Sequence, residues 1–318
     1  RPFFFFMMFK NLFIILLLGC TLYAHAWEWW PVPMAQMDTC RDTLYYASKV
    51  QIVSSSGTNS PTWLHGNQNG EIALLPHSGN IQAGIVKPAT RPNRWFDYNF
   101  GVILSGRIAG THISTVPHKI EGTGFFSLLY AHARLYVIDI TAGIKPLYFG
   151  GGDEELTCGS LLLSNNAHPF PRISIGIDQW TPIPGLYGYV DLRGGLTHGW
   201  LNDNNGKVSH VKLHHKYIGL RAGGKLPINI SYEFHHAAMW GGYRIDGLDL
   251  GNDFDAFSNI FLGRGGGATV SDQLNKQGNH MLSQLLCLTA KGEDWKVDLY
   301  WQDFQEDGGI NFIGCRAN

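Results

Sequence analysis

The sequence predicts an all-β protein, an antiparallel transmembrane β-barrel with one short loop helix. Three observations carry this. First, apolar and polar residues alternate strictly. In Leu186 to Arg193 one parity is Leu, Gly, Val, Leu and the other Tyr, Tyr, Asp, Arg. In Ile228 to His235, Ile, Ile, Tyr, Phe alternate with Asn, Ser, Glu, His. A period of two gives each strand one apolar and one polar face. Second, charged residues make up only 15% of the 318 residues, while 39 glycines and 13% aromatics are high. Soluble domains carry about 25% charge. Third, past the first residues no stretch holds ~18 consecutive apolar residues, which excludes helical spans and leaves membrane crossing to strands. A soluble secreted sandwich shares the alternation and is the rival fold. Charge is balanced at −1, so no nucleic acid or other polyanion is implied.

The elements follow in order. Residues 7–26 have the form of a secretory signal peptide. Lys10 supplies the positive start, Leu12 to Gly19 an apolar run too short to span, and Ala24-His25-Ala26 a small-residue cleavage site. The residues before Met7 are expected to precede the true start. Leu17-Leu18-Gly19-Cys20 offers a second processing route, a lipobox, which the Leu before Gly19 fits poorly. Cleavage after Ala26 leaves 318 − 26 = 292 residues, 27–318, as one barrel domain.

Eleven strands are expected: Thr43–Val53, Asn69–Leu75, Tyr98–Ile108, Phe125–Ala133, Leu135–Ile144, Ile173–Gln179, Leu186–Trp200, Val211–Gly223, Ile228–Met239, His280–Ala290 and Trp295–Phe304. Turn-rich breaks separate them, such as Asn202 to Gly206, Gly223 to Pro227 and Lys291 to Asp294. Short turns between antiparallel strands make a meander, which suits an up-and-down barrel. In the strand around Ile218, Leu220 and Ala222, His214 and Lys216 share the apolar parity. They require either a place beyond the hydrocarbon band or a bulge.

Asn252-Asp253 can cap a helix over Phe254 to Leu262, which Gly263 to Gly267 ends. Its apolar stripe is Phe254, Phe257, Ile260 and Phe261, and the sequence does not place it inside or outside a barrel. In the last strand Trp295, Val297, Leu299 and Trp301 share one face. Trp at both ends of an apolar face matches an interfacial girdle.

Chemistry is sparse. Cys40, Cys158, Cys287 and Cys315 are widely spaced, with no C-x-x-C motif. Among 14 histidines, the pairs His214-His215 and His235-His236 must split across the two faces of their strands. One His from each can meet across strands, but no third ligand follows at a defined spacing, so no metal is expected. No nucleophile elbow, H-E-x-x-H or P-loop is present. Asp153-Glu154-Glu155 reads as a solvated loop. Glu233 and Asp191 share the inward, polar parity and give a weak outline of a two-carboxylate glycosidase.

Several runs resemble the capsule assembly Wzi family. They are Leu213-His214-His215-Lys216-Tyr217-Ile218-Gly219-Leu220-Arg221-Ala222-Gly223-Gly224 and Glu233-Phe234-His235-His236-Ala237-Ala238-Met239-Trp240-Gly241-Gly242. Pro61-Thr62-Trp63-Leu64-His65-Gly66-Asn67, Gly278-Asn279-His280 and Glu306-Asp307-Gly308 are similar to further family elements, in the family's order. The resemblance implies an outer-membrane barrel of about eighteen strands, of which eleven to twelve are present, so the chain is expected to be truncated at its C-terminus. It implies a role in assembling or attaching capsular or other surface polysaccharide, lectin-like and without catalysis. A strand soon after the signal, in place of a periplasmic helical bundle, resembles the Bacteroides-type branch. Implied partners are the polysaccharide, outer-membrane lipid and polysaccharide export machinery; no cofactor is implied. A diffusion porin and an outer-membrane hydrolase are the rival functions.

For such a polymer, aromatic faces and planar polar groups are the relevant inventory. The expected lumen-facing contacts are Tyr187, Tyr189, Asp191, Arg193, Arg221, Asn229, Glu233 and His235. A packed lumen of mutual ion pairs, such as Arg193 with Asp191 or Glu233, uses the same residues. An anionic polymer favours Arg193, Arg221 and Lys296.

Overall fold

The computed structural model describes residues 44–89, 95–112, 118–148, 160–201 and 206–306, and the backbone of 309–317. The expected signal segment, Cys40, Cys158, the Asp153–Glu155 cluster, Asn202 to Asn205, Asp307 and Gly308 lie outside these residues. The strands are β1 (Tyr45–Ser54), β2 (His77–Lys87), β3 (Phe96–Gly110), β4 (Ile120–Leu135), β5 (Ile138–Ile144), β6 (Pro171–Pro182), β7 (Val190–Trp200), β8 (Val208–Ser209), β9 (Lys212–Ala222), β10 (Ile228–Trp240), β11 (Tyr243–Arg244), β12 (Asn279–Lys291), β13 (Lys296–Gln305) and β14 (Gly309–Ala317). All but β8 and β11 form one 12-stranded sheet in chain order, every neighbour antiparallel. β8 and β11 form a two-stranded ribbon of their own. Three short helices complete the described fold: α1 (Thr62–His65), α2 (Phe254–Leu262) and α3 (Val270–Leu274).

The polarity of this sheet is reversed. On β3 the buried parity holds Asp97, Asn99 and Ser105, while Tyr98, Leu104 and Ile108 are exposed. The same split recurs on β10, where Asn229, Glu233 and His235 are buried and Ile228, Ile230, Tyr232 and Phe234 are exposed. In a soluble sandwich the apolar parity would be the core. Here it stays uncovered from β1 (Val50, Ile52) to β13 (Leu299), far beyond the few hundred Å² of apolar patch that a soluble monomer tolerates. The sheet therefore has the surface of a transmembrane barrel wall, apolar outside and polar inside.

The two rims differ. One is closed by tight connections: 136–137, 183–189, 223–227 and 292–295. The other carries the long excursions 55–76, 145–170 and 241–278. Large aromatics stand exposed at the tight rim: Trp95, Tyr136, Tyr187, Tyr189 and Trp295. An aromatic at a turn, with apolar strand beneath it, has the arrangement of an interfacial girdle.

Two long excursions cover the inner face near their rim. Segment 55–76 meets segment 145–170 through Asn69 N–H to the Asn165 carbonyl at 2.7 Å and Asn67 N–H to Asn166 Oδ1 at 2.8 Å. Segment 55–76 is tied to the wall twice: Lys49 pairs with Glu71 at 3.0 Å, and Arg107 donates to the Gly70 carbonyl at 2.6 Å. Phe170 packs with inward Leu213 and Ala237, flanked by Leu162, Leu163 and Met281. Burial, with the Arg107 charge beside it, holds the His168 imidazole below its usual 6.5.

Several expectations are corrected. Asn69–Leu75 is loop, with Asn67 and Asn69 at positive φ, a conformation foreign to strands. The strand lies just after it, as β2. The seventh strand begins at Val190 instead of Leu186, because 184–188 form a turn with Tyr187 and Gly188 at positive φ. β9 contains no bulge; His214 and Lys216 keep their outward parity. The expected helix is present over its whole predicted length as α2. Asp253 accepts from Ala256 N–H and Gly263 closes the helix in the left-handed region.

Candidate functional site

The inner wall of β5–β10, towards the tight rim, concentrates the charged side chains. Asp191 on β7 is directly opposite Arg221 on β9, and Gly219 lies between Arg193 on β7 and Glu233 on β10. The pairs follow from this register: Arg221 contacts Asp191 at 2.7 Å and Arg193 contacts Glu233 at 2.5 Å. Both carboxylates are almost fully buried, at 2% and 1% exposure. A buried carboxylate demands such a partner, since an unpaired one costs several kcal/mol, of order 3–5.

A ring lies against both guanidiniums. Trp180 sits near the end of β6, with the Arg193 guanidinium 4.7 Å and that of Arg221 5.1 Å from its centroid. Gly219 makes room for it. A Cβ at that position would stand 3.0 Å from the Trp180 ring and 2.8 Å from the Glu233 side chain. The register of β6 slips by two residues between Ile177 and Thr181, which preserves parity, so Trp180 stays on the inward side with Arg172, Ser174 and Asp178.

Next to this cluster runs a stack of three rings. His215, Tyr217 and His235 lie nearly parallel, with centroids 5.3–5.6 Å apart. His215 Nε2 is 3.2 Å from His235 Nδ1, and His235 Nε2 is 3.3 Å from Glu233. Tyr217 donates to Asp178 at 3.2 Å. Beyond it Asp139, buried, takes Arg134 at 2.8 Å and His132 at 3.0 Å. The line from β4 to β10 is thus a continuous band of alternating charges and rings.

Of the expected contacts, Asp191, Arg193, Arg221, Asn229, Glu233 and His235 all fall on this inner face. Tyr187 and Tyr189 do not. They belong to the turn before β7 and stand exposed at the rim, Tyr187 at 83%; the turn conformation breaks the parity that a strand would have imposed. Lys296 is exposed and pairs with Asp298 at 3.0 Å. Trp180, Tyr217 and Asp178 are additions. Trp180 keeps the inward parity of Asp178 but lies one residue past the expected end of that strand, Gln179.

For the hydrolase alternative, Asp191 and Glu233 are the pair to weigh. A two-carboxylate glycosidase needs one carboxyl held protonated as the acid. Asp191 and Glu233 are each engaged by an arginine, Arg221 and Arg193. Among the described residues no group of three or more His, Cys, Asp or Glu is placed to hold a metal.

Fold and site together define a class: a transmembrane-type antiparallel barrel wall with a charged, ring-bearing inner face. No family model matches the chain, and no curated protein matches it. Among solved structures it is similar to Wzi, described as an outer membrane protein involved in group 1 capsule assembly in Escherichia coli and a carbohydrate-binding β-barrel. The identity is 12% and the TM-score 0.49, over 89% of this chain and 54% of that one. The chain thus spans about half the length of that structure.

Proposed function

We propose that this chain belongs to an outer-membrane barrel that holds capsular or other surface polysaccharide during its assembly or attachment, by binding and without catalysis. The motifs resembling the Wzi family suggest the polymer. The observation that carries the reading is the inner-wall cluster of Trp180 with Arg193 and Arg221. An aromatic ring beside two planar cations offers a sugar ring a stacking surface and a sugar carboxylate a forked donor. The polymer best suited is therefore acidic, carrying uronate-type carboxylates. Outer-membrane placement is supported by the reversed polarity and by tight turns at one rim against long excursions at the other. Loops that cover the inner face favour a binding protein over an open diffusion channel.

The test uses the purified full-length protein in vesicles, titrated with a polyuronate and with neutral dextran. The polyuronate is expected to change tryptophan fluorescence and dextran is not. Arg193→Met together with Glu233→Gln should weaken polyuronate binding by about tenfold or more, roughly the loss of one charge-assisted contact. Equal response to both polymers, or a large steady conductance in planar bilayers, overturns the reading.

A further inference from the structure

The loop helix α2 lies on the outer face of the wall, the side that faces lipid. Each wall residue that it touches has outward parity. Phe257 packs against His198, His214 and Trp240, on β7, β9 and β10. Ala256 and Ile260 are buried with Ala238 and Trp240. Lys216 donates to the Phe261 carbonyl, and Lys212 to Asn252 Oδ1 at 3.0 Å. On the next strand His236 Nε2 meets His280 Nδ1 at 2.7 Å, and His280 reaches the Gln277 carbonyl at 2.9 Å. The same parity holds Leu196, Ile218, Phe234 and Leu286 further down, all exposed.

This placement resolves the outward histidines and lysines. They occupy the lipid-side face at the long-loop rim, where an uncovered charge would be costly. The excursion 241–278 folds down and covers them. Its own far side still exposes large apolar side chains, beside the exposed Asp255. Phe254 is 76% exposed, Leu262 55%, Val270 70% and Leu274 79%. A helix with one face on protein and the other greasy, at the edge of a hydrocarbon band, has the properties of an interfacial membrane helix.

We infer that α2 and α3 form a lipid-facing foot, set into the boundary between headgroups and acyl chains beside the barrel wall. The occupant of the exposed Phe254, Leu262, Val270 and Leu274 surface is the bilayer itself. The argument is continuity: α2 packs on the outward parity of β7, β9 and β10, where Leu196, Ile218 and Phe234 further down are exposed apolar side chains assigned to lipid. The inference rests on the proposed membrane placement of the sheet.

The test keeps the two claims apart. An environment-sensitive fluorophore is placed at Leu262→Cys, and separately at Leu274→Cys, in the full chain with its native cysteines replaced by serine. Leu288→Cys on β12 reports the wall and Asp294→Cys the aqueous turn. In vesicles, nitroxide-bearing lipids should at least halve the signal at positions 262 and 274, with little effect of aqueous iodide. If position 288 is quenched by lipid while 262 and 274 respond to iodide alone, the foot is overturned and the wall stands. If both are shielded from lipid and iodide, another protein surface covers them and the proposal is equally overturned. If position 288 also fails to see lipid, the membrane placement itself falls.

Discussion

Placing a lysine at Ile218 probes the reversed polarity most directly. Ile218 is 56% exposed, lies on the outward parity of β9, and faces Gly194 on β7 and Phe234 on β10. It stands below the region covered by α2 and above the tight turn at Gly223, near the middle of the apolar band. In lipid, Ile218→Lys should destabilise by about 2–4 kcal/mol, the cost of a lysine near the midplane of a barrel. In water the same change, on an exposed strand surface, would fall within about 0.5 kcal/mol and would improve solubility. The two environments thus differ by a factor of roughly 10 to several hundred in the folding equilibrium. Urea unfolding in vesicles, followed by fluorescence of the ten tryptophans, measures it. Glu293→Lys in the turn between β12 and β13 is the neutral reference. An Ile218→Lys protein as stable as the reference, or found soluble in the periplasmic fraction, refutes the lipid-facing assignment.

Other outcomes follow from the same contacts. Glu233→Gln leaves Arg193 buried beside a neutral amide and should cost about 3–5 kcal/mol, whereas adding Arg193→Met should return a large part of it; a double-mutant cycle in urea reads both. Gly219→Ala drives a methyl to 3.0 Å from Trp180 and 2.8 Å from Glu233, and should destabilise by about 1–3 kcal/mol with a change in tryptophan emission. Asp253→Ala removes the cap of α2 and should lower stability by about 1 kcal/mol, with faster amide exchange confined to residues 254–262. For His168, the folded value lies below the ordinary 6.5, so the opened loop takes the proton first. Its contribution is complete above about pH 6.5 and declines as pH falls further. Protease cleavage within 160–170 should therefore rise between pH 7.5 and pH 5, and His168→Gln should flatten that rise.

Where local rules decided the structure, the sequence was readable. The helix α2 was legible because its cap, stripe and terminating glycine lie within a dozen residues. β10 and β13 were legible because alternation runs through most of their length, and β9 was found although His214 and Lys216 break its apolar parity. β2 was not. Its outer parity, Gly79, Ile81, Ala83 and Ile85, does alternate with inner Ser78, Asn80 and Gln82, but glycine and alanine leave only two large apolar side chains to mark it, and pairing with β1 and β3 completes the strand. The segment before it misled for the converse reason: Ile72 and Leu74 alternate, but Asn67 and Asn69 already commit the backbone to a turn. At the site, parity located Arg193, Arg221 and Glu233, since register carries a strand's parity to its neighbours. Tyr187 and Tyr189 sit where regular backbone stops, and there parity has no authority; Trp180 obeys the parity of β6 but lies just past the strand end that the sequence pattern marks.

The inner wall also limits how a polymer can be held. Arg193 and Arg221 already have buried carboxylate partners, so a sugar carboxylate entering the site would share a guanidinium instead of meeting a free one. Each such contact yields less than a new ion pair, because the cation is solvated by Glu233 or Asp191 before the ligand arrives. Tight binding then has to come from repetition along the chain of sugars, in which every additional engaged residue raises the effective concentration of the next. Short oligosaccharides of the right composition should accordingly bind poorly and long polymers well, and the affinity should fall with salt for both. A monosaccharide uronate binding as tightly as the polymer would show instead that one arginine is released from its partner, and that the wall rearranges when ligand enters.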